Sequence, residues 1–178
     1  MRCKEFLPVE GHVKHLSKPW NPQLLKGVYE CFVRNFNLEM EELAEEMGYP
    51  SYHDTELYVI LANEEGQLIE NDQYTPNMVK GFYALQAKNI ESHIGQMHPQ
   101  IRKWQGRGLK GVCLALDQEY RGSGVGKQLI NAPYRLNYDY LWGLHMEQLA
   151  NLDHWLKRRE YVDKIDGEWV TAVHLKKR

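Results

Sequence analysis

The stretch Leu114-Ala-Leu-Asp-Gln-Glu-Tyr-Arg-Gly-Ser-Gly-Val-Gly-Lys127 limits the possible folds of this chain more than any other. Gly111–Asp117 is apolar enough to be a buried strand. Gly124–Ile130 opens a helix, with Val125, Leu129 and Ile130 on its apolar side. Between them, glycines at 122, 124 and 126 allow positive φ and a close approach of backbone to ligand. Amides in such a turn converge on an anion, and Arg121 and Lys127 bracket it with positive charge. This chemistry suits a pyrophosphate.

The remaining residues are expected to build one domain over 1–178 around that unit. With 43% hydrophobic and 26% charged residues, a chain of 178 can enclose a core without metals or disulfides. A formal net charge of −2 supplies no global field toward nucleic acid or anionic membrane. Cys3, Cys31 and Cys113 are scattered and show no metal-ligand spacing, which fits free thiols in a reducing compartment. Met1–Val13 carries charges and Pro8 where a signal peptide needs an apolar run, and no stretch approaches a membrane span. A soluble cytoplasmic protein is expected.

Asn21-Pro22 is a helix start, followed by Leu24, Leu25, Val28, Phe32 and Phe36 at helical spacing. Asn37 is expected to cap a second helix that carries Leu38, Leu43, Ala44 and Met47 on one side and stops at Gly48 and Pro50. Its other face carries Glu39, Glu41, Glu42, Glu45 and Glu46, either a solvated face or an acidic wall that attracts a cationic amine. Leu57–Leu61, a turn at Glu64-Glu65-Gly66 and Leu68-Ile69 suggest a hairpin, and Met78–Ala87 a further strand. Residues 88–109 form a long, partly helical excursion with His93, His98, Arg102, Lys103, Trp104 and Arg107. The excursion either rims a cleft or offers an aromatic-basic surface for RNA. Pro133 should end the helix after the glycines. Tyr140–Leu149 is a strand, Asn151 the cap of a short helix Leu152–Arg159, and Tyr161–Ile165 and Trp169–Leu175 a hairpin about Asp166-Gly167. Alternation of strands and helices in the second half argues for a partly parallel sheet.

Rival phosphate loops fail on spacing. A Walker A loop needs glycine where Arg121 stands and Ser or Thr where Gln128 stands. The dinucleotide fingerprint needs a glycine at Lys127 or Leu129. Arg121-Gly-Ser-Gly-Val-Gly126, however, matches the (Q/R)-x-x-G-x-(G/A) signature of the GCN5-related N-acetyltransferases, and the chain resembles that family. Leu114–Tyr120 looks like its fourth strand with a bulge, Gly126–Ile130 like the start of its third helix, and Val79–Leu85 like its third strand. Tyr140–Asn151 and Leu152–Tyr161 are similar to its fifth strand and fourth helix. The resemblance implies an α/β (α+β) fold with a mixed, partly parallel sheet of six to seven strands flanked by about four helices.

The resemblance also implies an acetyl-CoA-dependent N-acetyltransferase acting on the amine of a small molecule or protein, with homodimerisation open. Carried over by motif, Arg121, Gly122, Ser123, Gly124, Val125, Gly126 and Lys127 take the pyrophosphate of coenzyme A. Leu116 and its neighbours pair with the pantetheine amides, and the thioester lies where the fourth and fifth strands splay apart. Asn151 matches the family's asparagine after the fifth strand. The chain departs from the pattern at Trp155-Leu156 and Glu160-Tyr161, where the family has Leu-Tyr and Gly-Phe, so the usual tyrosine acid is missing. Tyr161 is the nearest phenol. For the base, His145 and Glu147 stand two apart on one strand face, where they either form a pair whose carboxylate raises the basicity of the imidazole or simply decorate a strand end or pair with a helix. A non-catalytic acyl-CoA-binding module and a nucleotide-phosphate binder stay open beside this reading.

Overall fold

A computed structural model of the chain describes residues 12–63, 65, 73–146 and 159–175. The strands are β1 (Val13–His15), β2 (Thr55–Leu61), β3 (Val79–Ala87), β4 (Gly108–Leu116), β5 (Tyr140–Met146), β6 (Glu160–Ile165) and β7 (Glu168–His174). The helices are α1 (Pro22–Phe36), α2 (Met40–Glu46), α3 (Glu91–Ile94) and α4 (Val125–Asn131). The strands form one seven-stranded sheet in the order β1-β2-β3-β4-β5-β7-β6. β4 and β5 are parallel, while β1–β2, β5–β7 and β6–β7 are antiparallel. The parallel pair is the one whose connection carries α4, as a crossover requires. The mixed, partly parallel sheet expected from the sequence is therefore present, with seven strands.

The chain divides into two compact units, Met1–Leu85 with Val112–Arg135 and Gln86–Gly111 with Leu136–Arg178. In the first, α1 begins as its residues dictate. The Asn21 side chain accepts from the amides of Gln23 at 2.8 Å and Leu24 at 3.4 Å, and Pro22 needs no partner for an amide it lacks. Leu24, Val28, Cys31 and Phe32 are buried, and Phe36 is exposed. Asn37 does not cap the second helix. It ends the first, at φ 54° and ψ 40°, with its amide on the Val33 carbonyl. Asparagine suits both roles, and the left-handed C-terminal role wins here. α2 starts after Glu39, buries Leu43, and leaves all five glutamates in solvent. Thr55 then donates to the Met47 carbonyl at 2.6 Å, joining the end of α2 to β2. β1 was not expected at all. The hairpin turn anticipated at 64–66 and its return strand at 68–69 lie, apart from Glu65, outside the described residues.

In the second unit, β4 begins at Gly108, three residues earlier than its apolar run suggests, because Gly108–Gly111 pair with Tyr140–Gly143. The excursion is partly helical, as expected, and it is firmly seated. The Ile90 amide donates to the Tyr140 hydroxyl at 2.8 Å, and the Trp142 indole donates to the Lys88 carbonyl at 2.7 Å. Ile90, Trp104, Tyr140, Trp142, Val162, Val170 and Ala172 form the core of this unit. His98 bonds Asp163 through Nε2 at 2.8 Å. The β6–β7 turn uses Asp166 at φ 51° and Gly167 at φ 82°, the hairpin geometry that Asp-Gly favours. Of the helix expected at 152–159, only Arg159 is described, as coil before β6.

Candidate functional site

Strand β4 turns into the glycine segment at Asp117. The Asp117 amide donates to the Lys80 carbonyl at 2.8 Å, so Asp117 faces β3 and the polar groups of Leu116 face away from it. A short 3-10 helix at Gln118–Tyr120 follows, with Tyr120 buried. Gly122 and Gly124 take φ of 78° and 94°, values that L side chains rarely adopt. A Cβ at either would meet nothing within 4 Å, so backbone conformation and not crowding requires glycine there, and the space in front of the turn is open. Gly126 differs. Its conformation is helical, and a Cβ there would lie 3.3 Å from the Leu116 side chain. That side chain also fills the space at Gly81, so the turn rests on Leu116.

Among the described residues, no main-chain carbonyl accepts from the amides of 122–127. The series resumes at Gln128, whose amide donates to the Gly124 carbonyl at 3.2 Å. A row of uncommitted amides around two left-handed glycines fits an anion with several oxygens. A polar cleft of ≈ 900 Å³ flanks the turn, lined in part by Arg34, Lys80, Asp117, Glu119 and Arg121. Arg34 and Asp117 are paired at 2.9 Å, which leaves two cations against one carboxylate in that set. The Arg121 guanidinium does not point freely at the turn's ligand side. Its Nε donates to the Leu116 carbonyl at 2.8 Å, and its Nη2 donates to Asn35 Oδ1 at 3.3 Å. The Leu116 carbonyl keeps a second lone pair.

In the second unit, His145 sits opposite Trp169 in the β5–β7 ladder. Burial first, and the nearby Arg159 guanidinium second, push its imidazole down to about 4. The ring is therefore neutral at pH 7. A Cβ on Gly143 would lie 3.6 Å from Arg159 Nη1 and 3.7 Å from His145 Nε2, so both groups border that position at ordinary van der Waals distance. Thr171, opposite Gly143, is fully buried, and its hydroxyl finds no hydrogen-bond partner among the described residues. Tyr161 pairs with Thr171, is 46% exposed, and sets its ring edge-on to Trp169 at 5.0 Å. By strand alternation His145, Trp169, Thr171 and Tyr161 share one sheet face.

No protein-family model matches the chain, and no curated protein matches it. Solved structures do. The Arabidopsis thaliana NAA60, in complex with a bisubstrate analogue, is 15% identical with a TM-score of 0.61, over 91% of this chain and 97% of that one. Tetrahymena GCN5 is 16% identical with a TM-score of 0.56, over 92% and 96%. The ribosomal-protein-S18-alanine N-acetyltransferase of Escherichia coli is 14% identical with a TM-score of 0.55, over 93% and 94%. The fold is that of the GCN5-related N-acetyltransferases.

Within the GCN5-related fold, the expected residues fall into two groups. Leu116 and Arg121–Lys127 come together in the first unit as one strand end and turn. His145 and Tyr161 lie on one face of the second, on β5 and β6 with β7 between them. Glu147 and Asn151 lie outside the described residues. The described charge acting on His145 is that of Arg159, which lowers its basicity, while the carboxylate expected to raise it, Glu147, lies outside the described residues. One expectation changes. Trp104 is 2% exposed and stacks on His174 at 4.2 Å, so it offers no face to a nucleic-acid base. The sequence reading missed Arg34, Asn35 and Arg159. A basic residue in a helix's last turn is the only local signal at Arg34, and it does not name a partner.

Proposed function

We propose that this chain is an acetyl-CoA-dependent N-acetyltransferase whose acceptor is a primary amine. The observation that carries the reading is the turn at 122–127, with two left-handed glycines and a row of amides without main-chain acceptors. It stands in a fold that NAA60 of Arabidopsis thaliana also has, a protein solved in complex with acetyl-CoA. In this reading the amides of Gly122–Lys127 hold the diphosphate of coenzyme A, and Lys127 adds an exposed cation at the helix start. The main-chain groups of Leu116 that face away from β3 suit the pantetheine amides. Acetyl-CoA, when bound, supplies a thioester carbonyl that an amine can attack.

His145 is assigned the amine's proton. Its depressed pKa keeps the lone pair available at neutral pH, at the cost of weak basicity. A weak base suits a proton that becomes strongly acidic as the C–N bond forms. Tyr161 and Glu147 stay candidates for the thiolate's proton and for a second base, and Asn151 for a coenzyme contact.

The test is release of free thiol from acetyl-CoA against a panel of amines: polyamines, aminoglycosides, amino acids, and peptides with free termini or lysines. The expected result is amine-dependent release that falls at least tenfold in His145→Ala. Binding of coenzyme A without thiol release from any amine would make the chain a binding module. Equal stabilisation by ATP and coenzyme A would remove the coenzyme assignment itself.

A further inference from the structure

The last turn of α1 reaches the base of the phosphate-binding turn through a closed set of hydrogen bonds. Arg34 grips the Asp117 carboxylate with Nε at 3.0 Å and Nη2 at 2.9 Å, and its Nη2 also donates to the Val79 carbonyl at 2.6 Å. Asn35 Nδ2 donates to Asp117 Oδ1 at 2.8 Å and to the Cys31 carbonyl at 2.9 Å. The Asn35 carbonyl oxygen then accepts from Arg121 Nη2 at 3.3 Å, while Arg121 Nε donates to the Leu116 carbonyl at 2.8 Å. Asp117 and Arg121 are the two ends of the 3-10 helix that leads into the glycines. Both ends are thus held from α1.

We propose that Arg34 and Asn35 are positioning residues for coenzyme A, and that Arg121 serves the turn as a strut and not as a phosphate ligand. The proposal rests on the coenzyme A reading above. The physical case is one of direction and rigidity. A bidentate guanidinium–carboxylate pair fixes orientation as well as distance. Asn35 satisfies the same carboxylate and passes the constraint to Arg121, so the amide row begins from a backbone fixed at two points. A turn held in its binding geometry loses less conformational freedom when the ligand arrives. A guanidinium that already donates to two oxygens of the protein has less to give a phosphate. Its family-like position in the motif is explained by what it does to the backbone.

The two roles for Arg121 separate by substitution. A phosphate ligand acting through charge is largely rescued by lysine. A strut is not, because a single ammonium cannot span the Leu116 carbonyl and Asn35 together. Calorimetric titration of the full chain with coenzyme A should give similar losses for Arg121→Lys and Arg121→Ala, about tenfold each. Asn35→Ala should lose a similar factor, and the double variant Asn35→Ala with Arg121→Ala should lose less than the product of the two single losses, since both remove the Asn35–Arg121 contact. Near-wild-type affinity in Arg121→Lys, or multiplicative losses in the double variant, would overturn the proposal. So would an Asn35→Ala that lowers the melting temperature of the free protein but binds coenzyme A within twofold of wild type. Arg121 is exposed, so its variants report even if those at Asn35 do not fold. Failure of the folded wild type to bind coenzyme A at all would sink the underlying reading together with this one, and no variant is needed to see it.

Discussion

At the scale of single residues, the three glycines of the turn are not equivalent. Gly124 holds φ 94° with open space where a Cβ would go, and Gly126 is helical with Leu116 3.3 Å from that point. Alanine at 124 must leave the left-handed region or hold it at a cost of roughly 1–2 kcal/mol, and either outcome turns amides away from the ligand. Alanine at 126 asks only that the end of a leucine side chain give way. Gly124→Ala should therefore weaken coenzyme A at least tenfold in titration, and Gly126→Ala by less than threefold. That ordering agrees with a signature that admits alanine at the last position only. His145 sets a second expectation. Its folded pKa of about 4 lies below the ordinary value of 6.5, so the unfolded chain takes up a proton that the folded chain refuses. Stability from this group is complete above pH 6.5 and falls as pH drops toward 4, by at most about 3 kcal/mol. Urea unfolding between pH 7 and pH 4 should show a shallower loss in His145→Gln than in wild type. The acidic limb of kcat/KM should lie well below 6.5 if His145 is the base.

At the scale of elements, what could be foreseen was what is local. Asn21-Pro22 names a helix start because the cap bonds amides two and three residues on. The Asp166-Gly167 turn was equally plain. Asn37 was misjudged because a side chain that suits an N-cap also suits a left-handed C-cap, and the choice depends on where the chain must go next. β1 has three residues, two of them charged or polar, and shows no periodicity. It exists because it pairs with Tyr58–Ile60. The first residues of β4 were given to the excursion for the same reason: only their pairing with β5 makes them strand. The left-handed turn at 122–124 was legible from its glycines. Arg34 and Asn35 were not, since they act on a residue more than eighty positions away. The close approach of α1 to Val79 was hidden too. A Cβ on Gly27 would stand 2.5 Å from both the Pro76 carbonyl and a Val79 methyl. Alanine is the better helix former, but backbone cannot yield here as a flexible side chain does. Gly27→Ala should destabilise by about 1–3 kcal/mol in denaturant titration, against about 1 kcal/mol for the cap variant Asn21→Ala.

At the scale of the whole molecule, the turn and its α1 struts belong to the first compact unit, and His145, Arg159 and Thr171 to the second. The two can be tested apart. A ligand that binds only the folded chain stabilises it by RT ln(1 + [L]/Kd), about 2.7 kcal/mol at a hundredfold excess over Kd. For a chain of 178 residues that corresponds to a rise in melting temperature of roughly 5–11 °C. Coenzyme A should produce this shift, and ATP, lacking a pantetheine arm for Leu116, should produce much less. Amide hydrogen exchange should then localise the effect. Protection should rise at 122–127, where the amides gain phosphate oxygens in place of water, and at the last turn of α1, which holds the turn from behind. His145→Ala should leave both the shift and the protection intact while thiol release falls. The opposite pattern, with coenzyme A affinity lost at His145 and kept at Gly124, would mean that the glycine turn is not where the cofactor is held.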